Sequence, residues 1–111
     1  MILRWEHTEP RSGVWNVKFS NVDGDYELTG SHPVQAVGAV QQVDFYFRAK
    51  GNEWEFETND ERGWLFQADD KRAFQRRGQC KDGNVLPHRE AAKIIADCVA
   101  EFLAQLSSTD E

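Results

Sequence analysis

The sequence predicts an α+β domain in which an antiparallel meander of five to six strands packs one face against a single C-terminal helix. Three observations support this fold class. Apolar and polar side chains alternate with a period of two in several segments before residue 69. The turn-forming dipeptides Asp23-Gly24 and Gly51-Asn52 each separate two such segments. Apolar residues between positions 88 and 106 instead recur at three- and four-residue steps, which is the pattern of an amphipathic helix.

The N-terminal strands are predicted from their turn residues. Residues 2–7 are a candidate for an additional edge strand, with Leu3 and Trp5 on one side. Residues 14–22 and 25–29 should form a hairpin around Asp23-Gly24, and pairing outward from that dipeptide sets Phe19 opposite Leu28.

The segment from Val34 to Val40 allows two interpretations. Its β-branched valines favour a strand, and a turn at Gln41-Gln42 would then place Gly38 opposite Phe45, leaving room for the ring. A short helical turn opening at Ser31, before Pro33, is the alternative. We expect the strand.

The clearest prediction is a hairpin formed by residues 43–50 and 53–58. Residues directly opposite each other in an antiparallel ladder share a face, so pairing outward from Gly51-Asn52 tests the register. Apolar residues then meet apolar residues and opposite charges meet. The predicted pairs are Lys50 with Glu53, Ala49 with Trp54, Arg48 with Glu55, Phe47 with Phe56 and Tyr46 with Glu57.

Two further segments complete the chain. Residues 64–68 alternate and should add a strand, whereas residues 69–78 contain only Ala73 and Phe74 as apolar anchors and are expected to form a loop or a single helical turn. Residues 88–106 form the predicted helix, which begins after Pro87. We expect one domain over residues 1–106, followed by a polar, disordered tail over 107–111.

Composition limits the classes of function. A chain of 111 residues and 12.8 kDa is long enough for one hydrophobic core, and its net charge of −6 opposes nucleic acid and anionic membranes at long range. It contains no apolar stretch that would span a bilayer and no secretory signal pattern. Its two cysteines are too few for a disulfide framework, so a reducing cytoplasm is the expected location.

One helix covers only one face of such a sheet, so the other face is expected to be free. The predicted register gathers four polar side chains there as a candidate site for a protein partner or a small polar ligand: Tyr46, Arg48, Glu55 and Glu57. The sequence therefore favours a non-enzymatic binding or interaction module, and a homodimer is one way to cover this face. The competing interpretation is a solvated face whose ion pairs only set register and solubility.

Two other functions remain open. The segment 71–81 contains five bases and no acid, with Phe74 among them, and is a candidate nucleic-acid strip formed by Lys71, Arg72, Arg76, Arg77 and Lys81. The same bases could instead dock against the acidic segment 53–70. A small enzyme with Tyr46 or a carboxylate as its acid–base group is the other alternative, although no motif selects a catalytic pair. No metal site or cofactor is predicted, because Cys80, His88 and Cys98 are too widely spaced to suggest ligands.

Overall fold

The residues that the structure describes form seven antiparallel strands in one sheet, a further two-residue strand and one C-terminal helix. The computed structural model describes residues 2–30, 33–60, 63–64, 74–81 and 86–108. The strands of the sheet follow chain order, and the last of them pairs with β6: β1 (Trp5–Arg11), β2 (Val14–Phe19), β3 (Gly24–Thr29), β4 (Val34–Val40), β5 (Val43–Lys50), β6 (Glu53–Asp60) and β8 (Gln75–Gln79). A two-residue strand, β7 (Gly63–Trp64), pairs with the end of β6, and the helix α1 spans His88–Ser108.

The α+β class is confirmed, and the count of five to six strands is wrong. The additional strand is β8, which occupies part of the segment that we expected to be a loop or a helical turn. Phe74, just before β8, is the only large apolar residue beside this strand. The sequence therefore shows no alternation of apolar and polar side chains there. The strand forms because β6 supplies its hydrogen bonds: the Thr58 N–H donates to the Phe74 carbonyl at 3.1 Å, and the Cys80 N–H donates to the Asn52 carbonyl at 2.9 Å.

The central hairpin has the predicted register. All five predicted pairs between β5 and β6 are present, from Lys50 opposite Glu53 to Tyr46 opposite Glu57. Gly38 lies opposite Phe45, and residues 34–40 are a strand, so the helical alternative for that segment is wrong. Trp64 belongs to β7, whereas residues 65–68 of the predicted strand lie outside the described residues.

The register between β2 and β3 differs from the prediction. Leu28 lies opposite Trp15 rather than Phe19, because residues 20–23 form a wider loop and Gly24 already belongs to β3. Asn21 in this loop forms two hydrogen bonds to the segment before β1. Its Oδ1 accepts one from the Arg4 N–H, and its Nδ2 donates one to the Ile2 carbonyl. The slip is an even number of residues, so Val17 and Phe19 keep the predicted core face.

The edge strand also begins later than predicted, at Trp5 rather than at residue 2, and it continues to Arg11. The helix is confirmed, and it ends two residues beyond the expected 106, at Ser108. Residues 109–111 of the predicted tail lie outside the described residues.

The core lies between α1 and one face of the sheet. A ladder of aromatic rings joins the two layers: Phe45 to Phe56 at 5.3 Å, Phe56 to Phe74 at 5.9 Å and Phe74 to Phe102 at 5.4 Å between ring centroids. Phe74 is 1% exposed, so this ring of the predicted nucleic-acid strip is a core residue. On α1 the buried residues include Ala91, Ile95, Val99 and Leu103, as the helical periodicity predicts.

Trp5 and Trp15 are half-buried at the other end of the core. The Trp15 ring stacks on His7 at a centroid distance of 3.7 Å and meets the edge of His88 at 5.6 Å. The Arg89 guanidinium lies 5.7 Å from the Trp5 ring and 5.8 Å from the Trp15 ring. This cluster attaches the first turn of α1 to the edge strands.

The β4–β5 turn offers a test of local strain. Gln41 and Gln42 have φ angles of 48° and 70°, a left-handed backbone that costs about 1–2 kcal/mol for a residue with a Cβ. The double substitution Gln41→Asn, Gln42→Gly should therefore raise the free energy of unfolding by about 1 kcal/mol. Chemical denaturation measures this change. Gln42→Ala retains the Cβ and serves as the control: a comparable gain in that variant would contradict the explanation.

Candidate binding face of the sheet

The face of the sheet opposite α1 carries polar and charged side chains, and we call it the open face. It is formed by the strand positions that alternate with the buried ones. Its charged residues are Glu6 on β1, Lys18 on β2, Asp25 and Glu27 on β3, Asp44, Arg48 and Lys50 on β5, Glu53, Glu55 and Glu57 on β6, and Arg77 on β8.

The structure brings the four predicted site residues together on this face. Tyr46 lies opposite Glu57, and Arg48 lies opposite Glu55, on the two central strands. The Tyr46 hydroxyl lies 3.4 Å from Gln35 Oε1, to which it donates. The four side chains are half-buried, because neighbouring strands crowd them without covering them. The sequence therefore predicted the grouping of these residues correctly.

Arg77 joins this group as a member that the sequence analysis assigned elsewhere. It lies opposite Glu55, and its Nε is 3.7 Å from Glu55 Oε2, so Glu55 has an arginine neighbour on each adjacent strand. Around these residues a cleft of about 360 Å³ is lined by Arg48, Lys50, Glu53, Trp54, Glu55 and Arg77. We call it the charged cleft. Its charges nearly cancel, which weakens its case as a site for an ionic ligand.

The Glu57 carboxyl has a raised pKa. Partial burial raises the pKa of its carboxyl, the neighbouring Glu55 carboxylate raises it further, and Arg77 opposes both effects. Tyr46 lines neither the charged cleft nor the larger concavity beside it.

The larger concavity lies over β1 to β4, and we call it the hollow. It has a volume of about 670 Å³ and was not anticipated from the sequence. Its walls carry the side chains of Glu6, Lys18, Asp25 and Glu27, and Val37 stands at its β4 side. Its β1 side belongs to a strand whose pairing with β2 is irregular between Thr8 and Arg11. A concavity over four strands depends on how those strands are arranged, which local residue patterns do not reveal.

Val37 is the unusual residue of the open face. Its side chain is 57% exposed, and it lies between Glu27 on β3 and Tyr46 on β5. In the described part of the chain the other exposed large apolar residues are Ile2 and Leu106, neither of which lies on a strand. The sequence analysis missed Val37, although its place between the buried Ala36 and the half-buried Gly38 predicts an outward direction once β4 is known.

The candidate nucleic-acid strip does not form one basic surface among the described residues. Successive side chains on β8 point to opposite faces, so Arg76 and Arg77 diverge. Arg76 contacts α1, with its Nε 2.7 Å from Glu101 Oε2 and its guanidinium 4.3 Å from the Phe74 ring centroid. Arg77 pairs with Glu55, and Lys81 is exposed; Lys71 and Arg72 lie outside the described residues.

Among the described residues no group of three or more histidine, cysteine or acidic side chains is arranged to hold a metal ion. Cys80 is half-buried and Cys98 is buried, and no disulfide joins them. Cys98 lies on the buried face of α1, where burial raises the pKa of its thiol to about 12, with Glu101 and Asp97 adding to the rise and Arg76 opposing it.

The two thiols should therefore differ in reactivity. We expect Ellman's reagent to modify the half-buried Cys80 in the folded protein and Cys98 only after denaturation, because the thiolate is the reactive form. A Cys80→Ser variant should show no fast-reacting thiol. The unfolded chain ionises this thiol near pH 9.0, so the stability contributed by Cys98 is present below that pH and is lost as the pH rises towards 12. Equal rates of modification of Cys80 and Cys98 in the folded protein would contradict the predicted difference in reactivity.

No family model, curated protein or solved structure matches the chain. Within the part of the chain that the structure describes, no helix combines the length and the apolarity needed to cross a membrane.

Proposed function

We propose that this protein is a non-catalytic binding module that holds a partner protein on the open face of its sheet. The observation that carries the proposal is Val37, an exposed apolar side chain beside Tyr46 at the centre of a charged face. Protein interfaces commonly combine an apolar centre with a polar, solvated rim. The hollow beside Val37 gives this face a concave shape, which suits a convex partner.

A second copy of the chain is the other occupant that we considered at the sequence level. Two concave open faces would meet poorly, because each presents the same hollow to the other. We therefore favour a different protein as partner. Two cysteines are too few for a disulfide framework, and we propose the reducing cytoplasm as the location.

Site-specific crosslinking tests the proposed face. A photoreactive phenylalanine analogue at Val37 should crosslink a heterologous protein in cells of the source organism, and the same analogue at the exposed Lys93 of α1 should not. Val37→Asp should weaken binding of that purified protein at least about tenfold, because it places a charge in the apolar centre of the interface. Identical adducts at both positions, or none at Val37, would contradict the proposal. An adduct of two copies of this chain would establish the homodimer instead.

A further inference from the structure

The open face carries an excess of acidic side chains. Its described strand positions hold the carboxylates of Glu6, Asp25, Glu27, Asp44, Glu53, Glu55 and Glu57 against the cations of Lys18, Arg48, Lys50 and Arg77. The surface of a partner that covers this face must compensate the excess, because desolvated carboxylates without a counter-charge oppose association.

The excess is unevenly compensated within the chain. Near the charged cleft, Glu55 has Arg77 at 3.7 Å and Arg48 as its cross-strand neighbour. Around the hollow, Glu6 and Asp25 lie opposite Lys18 on β2, and Glu27 lies opposite Asn16 and Val37. None of these three carboxylates forms an ion pair with another described residue, so negative charge is concentrated at the hollow.

The size and lining of the hollow indicate which side chains of a partner would compensate its negative charge. Its volume of about 670 Å³ falls within the range of about 300–1,000 Å³ that binding sites for compact ligands occupy. One side is apolar, at Val37, and the charged walls carry three carboxylates and one lysine ammonium. Lysine and arginine side chains match this arrangement, since their alkyl stems pack on apolar surface while their charged ends contact carboxylates.

The surfaces of a second copy do not supply this chemistry. Its open face has the same acidic excess. The outward surface of α1 has no basic excess either, because Glu90, Asp97 and Glu101 are matched by Arg89, Lys93 and the Arg76 that pairs with Glu101. A second copy therefore offers no basic surface to the hollow, and like charges repel when two open faces meet.

We infer that the partner enters the hollow with a basic segment, a convex stretch of chain that carries lysine or arginine side chains next to an apolar residue. The apolar residue packs on Val37, and the cationic ends lie among Glu6, Asp25 and Glu27. This inference rests on the proposed function and adds the chemistry of the partner to it.

A defined peptide tests the inference without knowledge of the partner. The probe is a fluorescein-labelled amphipathic peptide of leucine and arginine, and its counterpart replaces each arginine with glutamate. We expect the arginine peptide to bind in fluorescence anisotropy, more weakly as salt is added, and the glutamate peptide not to bind. Amide NMR signals of Glu27 and Val37 should shift on binding.

Two matched charge reversals localise the effect. Glu27→Lys at the hollow should weaken binding of the arginine peptide at least about tenfold. Asp97→Lys on the exposed surface of α1 makes the same change in net charge and should change the affinity for that peptide by less than about twofold. Equal weakening by the two variants, equal binding of the glutamate peptide, or no binding of the arginine peptide overturns the inference.

The crosslink at Val37 separates the inference from the proposed function. A crosslinked partner segment that lacks lysine and arginine would overturn the inference of a basic segment but would not contradict the proposed binding function. Absence of a specific crosslink at Val37 would overturn the proposed function itself.

Discussion

Phe56→Ala is expected to lower the free energy of unfolding by about 3–5 kcal/mol, which is a large part of the total stability of an ordinary domain. The Phe56 side chain is 0% exposed and lies between Phe45 and Phe74 in the ring ladder. Removing it leaves a cavity where the sheet, the start of β8 and α1 meet. The surrounding rings are held by separate elements and cannot easily collapse into that space.

Urea denaturation of the purified variant measures the effect. Val37→Ala is the matched control, because that substitution also shortens an apolar strand residue but at an exposed position, and it should change stability by no more than about 0.5 kcal/mol. A loss below about 1 kcal/mol for Phe56→Ala would show that the ring is not a packed part of the core.

Gly38→Ala is expected to have the second largest effect, a loss of at least about 2 kcal/mol. Gly38 lies between Tyr26 on β3 and Phe45 on β5, and these two rings approach to 5.7 Å between centroids. An added Cβ would overlap the Asp25 carbonyl oxygen and would lie 2.6 Å from Tyr26 Cα. Both are backbone atoms, so β3 and β4 would have to separate.

Thermal and chemical denaturation of Gly38→Ala give this loss. Ala39→Gly is a useful comparison, because it changes the neighbouring residue of the same strand without adding an atom, and it should cost only about 0.5–1 kcal/mol. A Gly38→Ala variant as stable as the wild type would mean that β3 and β4 do not approach each other as closely as described.

The hydrogen-bonded turn at Gly51-Asn52 shows what local sequence information determines well. This turn and the two-residue alternation on either side fix the pairing of β5 with β6, and the register then places Tyr46, Arg48, Glu55 and Glu57 on one face. The helical period of residues 88–106 is equally local, because residues three and four apart meet on one side of a helix in any context. These elements were predictable for that reason.

The second hairpin shows where local information ends. Asp23-Gly24 is a strong turn dipeptide, yet the chain turns earlier, through residues 20–23. Asn21 is used to hold the segment before β1, and that contact depends on residues far away in sequence. A turn propensity worth a fraction of a kcal/mol does not outweigh such tertiary contacts.

By itself, then, the sequence determined the α+β class, the C-terminal helix, the central hairpin and the grouping of four candidate site residues, because each depends on neighbours in the chain or on one tight turn. The tertiary structure decided that residues 75–79 form a strand, that Arg76 and Arg77 point to opposite faces, and that the open face is hollow beside Val37. These features depend on a distant partner strand and on the accumulated twist of the sheet, and no local pattern of side chains encodes either of them.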